Sequence, residues 1–175
     1  MHWKSFRHNN SEYSLEHLHP FQMEVIQESK QNKPQRKYPF NVSFSLHCFS
    51  RKKLENEEDL DLIYSDNRES RIFCYKRYEL SKKLPNIIEN ISKKKCLHTG
   101  HDDFFIVEII TESGEKKNYE VYFSITKGQK KGALNLYIQS AYIRDKGNRR
   151  RNPKPIRFHI IAFNKLHNKL IKVPK

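Results

Sequence analysis

Apolar and polar positions alternate in blocks along this chain. In Tyr119-Glu-Val-Tyr-Phe-Ser-Ile-Thr126, the residues Tyr119, Val121, Phe123 and Ile125 share one face and Glu120, Tyr122, Ser124 and Thr126 share the other. This period of two predicts a half-buried strand. Residues 134–142 repeat it with Leu134, Leu136 and Ile138 inward. Strict continuation carries Ser140 and Tyr142 to the same side, so the core face is expected to turn polar at its end. Residues 156–163 are read as a third strand, with Ile156, Phe158, Ile160 and Ala162 inward and Arg157 and His159 together on the opposite face. Connections holding Gly128, Gly132, Gly147 and Pro153 are short enough for an antiparallel meander, since parallel pairing needs a longer crossover.

Upstream, residues 40–49 alternate cleanly, with Phe40, Val42, Phe44, Leu46 and Cys48 inward and Asn41, Ser43, Ser45 and His47 outward. Residues 72–75 read as a short second strand, paired with the first across an acidic loop at 53–68 that holds one helical turn. Residues 104–110 are apolar on both faces, as in a central strand, and Ser113-Gly114 turns them into the Tyr119 run. The spacing of Leu15, Leu18, Met23, Val25 and Ile26 predicts a helix from about Phe21, with Pro20 in its first turn. Leu80, Leu84, Ile87, Ile88 and Ile91 fall on one helical face, with Ser81 and Pro85 as start signals for one helix or two short ones. Residues 31–39 read as a linker, residues 1–13 as a flexible start and residues 164–175 as a basic tail. The pattern predicts one α+β domain over 1–175, its sheet core at 40–163. Its mainly antiparallel sheet should hold about five or six strands packed with one or two helices.

Charge adds a partner to this picture. The chain has 175 residues, enough to bury a core without metals or disulfides, and a net charge of +14. From Lys127 to the end there are fourteen Lys or Arg and one acid, Asp145, so that segment alone carries +13. Acids gather instead between Glu55 and Glu69. Such a footprint predicts a polyanionic partner, RNA and possibly DNA. No apolar run is long enough for a bilayer and the polar start lacks a signal-peptide core, so a cytoplasmic location and no membrane partner are expected. Three widely spaced cysteines predict reduced thiols.

The candidate chemistry is metal-free RNA cleavage, which needs a base for the 2′-hydroxyl, an acid for the 5′-oxygen and cations around the phosphorane. His159 and His47 are the candidate acid and base, Arg157 a phosphate ligand, and Ser140 and Tyr142 substrate-positioning groups. Lys127, Lys130, Lys131 and Arg144 are candidate phosphate contacts. Lys146, Arg149, Arg150, Arg151 and Lys154, in a Gly- and Pro-bounded loop, are candidates to follow a nucleic-acid backbone. Tyr119, Tyr122, Tyr137 and Tyr142 offer stacking surfaces for bases. Cys96, His98 and His101 hold zinc-ligand chemistry, with Cys48 or Cys74 as a fourth. Structural zinc sites show paired short spacings and only one tight cluster exists here, so no metal or other cofactor is assigned.

Tyr-x-Val-x-Phe from Tyr119, Leu-x-Leu-x-x-x-Ser-Ala-Tyr from Leu134, the basic loop and Arg157-Phe-His159 together resemble the final meander of the barnase, EndoU, colicin and RelE superfamily. The resemblance covers about a quarter of the chain. It implies a small, basic, toxin-type endoribonuclease that cleaves by 2′-hydroxyl attack, with an acidic antitoxin or inhibitor protein as partner. The chain departs from that pattern in the two extra strands at 40–49 and 72–75. The alternative is a non-catalytic RNA- or DNA-binding accessory protein of a phage, defence system or mobile element.

Overall fold

The computed structural model describes residues 2–29, 34–55, 60–98, 104–112, 115–143 and 155–171, with backbone alone at 104–112 and 115–118. In chain order the strands are β1 (Phe6–His8), β2 (Ser11–Tyr13), β3 (Phe21–Gln27), β4 (Arg36–Phe44), β5 (Ser50–Arg51), β6 (Ile63–Ser65) and β7 (Ser70–Phe73). Helices α1 (Tyr75–Ser81) and α2 (Leu84–Glu89) follow, then β8 (Lys95–His98), β9 (Phe104–Glu112), β10 (Glu115–Lys127), β11 (Leu134–Ile143), β12 (Pro155–Arg157) and α3 (Phe158–Leu166).

The main sheet has seven strands in the order β12-β8-β9-β10-β11-β4-β3. All its pairs are antiparallel except β11 with β4, whose sequence separation leaves ample room for a crossover. Smaller sheets, β1-β2 and β5-β7-β6, complete a mixed α+β fold with three short helices. This corrects the expectation of one sheet of five or six strands with one or two helices.

The alternation in β10 and the first half of β11 is as expected: Tyr119, Val121, Phe123, Ile125, Leu134, Leu136 and Ile138 are all buried. Against this face lies α3, whose Phe158 ring meets Phe40 and Phe123 at 5.4 and 5.9 Å between centroids. Buried residues of α1 and α2 join the same core. Leu80, Leu84, Ile87, Ile88 and Ile91 are buried as the helical spacing predicts, in two short helices and a 3-10 turn, with Pro85 in the first turn of α2.

Further expectations fail for identifiable reasons. The predicted helix from Phe21 is strand β3, paired with β4 so that Phe21, Met23 and Val25 lie opposite Val42, Phe40 and Tyr38. Its helical spacing arose by merging two elements, because the fully buried Leu15 and Leu18 belong to a separate 3-10 turn before Pro20. The predicted third strand of the meander survives only as β12, which joins β8 at the far edge. From Phe158 the chain is helical: Phe158, Ile161 and Ala162 are buried at helical spacing, whereas Ile160, expected inside, is 42% exposed. Finally, β11 carries a bulge. Phe123 pairs with Ile138 but Tyr122 pairs with Ser140, which leaves Gln139 as the extra residue. The alternation therefore changes phase, so Ala141 is buried and Ser140 and Tyr142 leave the core face.

Residues 1–13 include a hairpin whose Phe6 stacks on Phe73 at 4.1 Å, and Trp3 meets Phe49 edge-on at 5.3 Å. Trp3 and Phe6 are buried. The short strand expected at 72–75 is β7, which pairs with β5 and β6 and not with the long strand at 40–44; Tyr75 already begins α1.

Candidate nucleic-acid interface

Among the described residues, the side of the main sheet opposite α3 is open over β3, β4, β11 and the end of β10. Register sets its residues in rows across the strands: Gln22, Asn41, Asn135 and Thr126 in one, Ser43, Tyr137 and Ser124 in the next. The amides form a directional strip. Gln22 Nε2 donates to Asn41 Oδ1 at 3.1 Å, Asn41 Nδ2 to Asn135 Oδ1 at 3.2 Å, and Asn135 Nδ2 to the Lys127 carbonyl at 3.2 Å. Tyr137 is 36% exposed, while Ser43 and Ser124 are half-buried.

Beyond the bulge, Tyr122 and Tyr142 stack with centroids 5.5 Å apart and an interplanar angle of 13°. Tyr142 donates to the Tyr122 hydroxyl at 3.2 Å, and Tyr122 donates to the carboxylate of buried Glu120. Burial and the bond to Glu120 push the Tyr122 hydroxyl well above the ordinary phenol range. Tyr119, expected as a stacking surface, is instead fully buried, and its hydroxyl has no partner among the described residues.

His47 lies just past the end of β4, in a 3-10 turn (Leu46–Cys48) started by Ser45, whose hydroxyl accepts from the His47 amide. Its Nε2 donates to Glu69 Oε1 at 2.6 Å, and Arg71 donates to Glu69 Oε2 at 3.3 Å. Partial burial works against ionisation of Glu69, but the bonds and charges of His47 and Arg71 outweigh it and hold the carboxyl below the usual range. Among the described residues nothing bonds His47 Nδ1. Arg77 donates to the carbonyls of His47 and Ser50 at 3.2 and 2.7 Å, and its guanidinium lies 5.2 Å from the centre of the Tyr142 ring. An imidazole oriented by a carboxylate, with its second nitrogen available, can exchange a proton with a bound group.

Arg77 thus links two of the five catalytic candidates, His47 and Tyr142, and Ser140 sits opposite Tyr122 beside them. His159 and Arg157 do not join this group by the shared strand face that was expected. Arg157 is exposed at the end of β12 and His159 is in the first turn of α3. That helix runs away from His47, since Phe163 lies under the guanidinium of Arg36, the first residue of β4.

Lys127, Lys130 and Lys131 are exposed at the β10–β11 turn, at the end of the sheet remote from His47. Lys127 also lines a cleft of about 390 Å³ with Lys165, Asn168 and Lys169. Arg144, Lys146, Arg149, Arg150, Arg151 and Lys154 lie outside the described residues, as does His101. Cys96 and His98 are buried in β8, where burial pushes the Cys96 thiol up to about 12. No metal-binding cluster occurs among the described residues, and no described helix is long and apolar enough to cross a membrane. Sequence reasoning missed Glu69, Arg71 and Arg77. They lie 22 or more residues from His47, and only the tertiary fold brings them to it.

Among the described residues, fold and site together define a mixed α+β protein with an open polar sheet face and a carboxylate-held histidine. The chain belongs to the YjaZ family, whose model matches residues 5–166. It is 32% identical over 177 residues to Protein YjaZ of Escherichia coli (strain K12), an alignment covering 98% of this chain and 95% of that protein. No solved structure matches.

Proposed function

We propose that this protein acts on nucleic acid and cleaves RNA without a metal at His47. The observation that carries this reading is the His47–Glu69 pair, 2.6 Å apart, half-exposed beside Arg71, Arg77 and Tyr142. The strand bearing Tyr142 leads directly into the basic segment that begins at Arg144. In this reading His47 Nδ1 takes the proton of the 2′-hydroxyl, whose oxygen bonds to phosphorus as the bond to the 5′-oxygen breaks. Tyr142 gives up its own phenolic proton, otherwise shared with Tyr122, to that leaving oxygen and takes the proton held by His47 back in a later step, and the arginines supply positive field to the phosphorane. An acidic protein covering the basic surface would inhibit it, with an association rate that falls as salt rises.

Purified protein incubated in excess EDTA with labelled structured RNA should release fragments ending in 2′,3′-cyclic phosphate. His47→Gln should slow cleavage by about a hundredfold or more while RNA binding persists. RNA that shifts on a gel but stays intact would overturn the enzyme and leave a non-catalytic binding protein. That second reading is favoured by the position of His159 on α3 and by the lysines of the remote cleft, which bind without chemistry.

A further inference from the structure

The open sheet face has a ligand chemistry that the His47 centre does not explain. A backbone phosphate needs only cations, and among the described residues Lys127 stands at one end of this face. Beyond it the face offers ring and amide groups. Tyr137 lies in the second row, flanked by Ser43 and Ser124 and one row from Asn41 and Asn135. Among the described residues, the carboxylates of this face are engaged. Glu24 is paired with Lys37 at 3.2 Å, and Glu120 is buried beneath Tyr122. A polyanion therefore meets little repulsion here, and the +14 charge of the chain favours its approach.

We propose that this face is a platform for single-stranded RNA, on which a base stacks against Tyr137 and neighbouring bases meet the Gln22–Asn41–Asn135 amide strip with their polar edges. The inference rests on the nucleic-acid reading above and adds the form of the ligand, because a duplex keeps its bases stacked inside and cannot offer them to a flat sheet. Base–aromatic stacking tolerates sequence, whereas the amides add hydrogen bonds to whichever base lies over them.

The test titrates the whole protein, at one fixed salt concentration, with a labelled twelve-nucleotide single-stranded RNA, the same sequence as a duplex, heparin and a neutral oligosaccharide. Single-stranded RNA should bind tightest. Tyr137→Ala should weaken it about tenfold, within the range for loss of one stacked base, while Tyr137→Phe keeps most of the affinity. Tyr137 is 36% exposed, so Tyr137→Phe should melt as the parent does and Tyr137→Ala somewhat lower, and all titrations are run well below both melting temperatures. Equal affinity for single strand, duplex and heparin, or an unchanged Tyr137→Ala, would overturn the platform. So would binding of the neutral oligosaccharide in preference to RNA. RNA that is cut under any of these outcomes leaves the enzyme reading standing, and uncut RNA held through Tyr137 leaves the platform standing.

Discussion

His17 illustrates how one side chain ties stability to pH. Ser81 is fully buried and its hydroxyl donates to the Tyr78 carbonyl at 2.6 Å, so it accepts the 2.8 Å bond from His17 Nε2–H. Burial first, then the positive charge of Lys82, lowers the His17 pKa from its ordinary value of 6.5. Below that value the unfolded chain takes a proton that the folded chain refuses. The stabilisation is complete above 6.5 and is lost as pH falls toward the lower folded-state value. Melting temperatures between pH 8 and 5 should therefore drop for the parent, and His17→Gln should flatten the part of the drop just below pH 6.5. Glu69 acts in the same direction at a lower pH, since its depressed carboxyl loses the bond to His47 only in acid. Cys48, by contrast, is pushed up to about 12 by burial and stays a protonated thiol, so it has no part in the chemistry of its neighbour His47.

At the scale of elements, α3 depends on Phe158. Its ring is completely buried between Phe40 of β4 and Phe123 of β10, and it is the residue at which β12 becomes helix. Phe158→Ala should cost about 3–5 kcal/mol by denaturant titration, because the cavity it leaves is walled by two strands of the main sheet that cannot close on it. The turn between β10 and β11 is another local device. Gly128 donates to Ala133 at 2.8 Å and Gly132 takes a φ of 84°, which a side chain would strain. This turn fixes the register that brings Leu134 opposite Lys127, and the later bulge at Gln139 then redirects Tyr142 toward Tyr122.

For the whole molecule, charge is the dominant property. The described lysines at the β10–β11 turn and in the cleft behind it lie at one end of the sheet, and His47 lies at the other. A strand of RNA along the open face would span both. Binding should then weaken linearly in log–log terms as salt rises. Replacing Lys127, Lys130 and Lys131 together by Ala should flatten the slope by about 0.7 for each lysine that touches a phosphate, as read from titrations at several salt concentrations. Cleavage at saturating RNA should change little, because these lysines are remote from His47.

By itself the sequence determined the periodic elements and the charge. The buried faces of β10 and the first half of β11, the stripe from Leu80 to Ile91 and the excess of basic residues follow from local spacing and from counting. Local geometry sets a period of 2 or 3.6 wherever a run is long enough to display it. At Phe158–Ala162 the run was short and Phe158 faces the core under either period, so the helix, which buries Ile161 and exposes Ile160, was decided by tertiary packing. The tertiary structure alone decided that β12 pairs with β8, that β4 lies parallel beside β11, and that Gln139 shifts the register by one residue. It alone brought Glu69, Arg71 and Arg77 to His47 and left Tyr137 on an open face. These outcomes depend on contacts between residues far apart in the chain. Such contacts are chosen by small differences between alternative packings, to which no local pattern is sensitive.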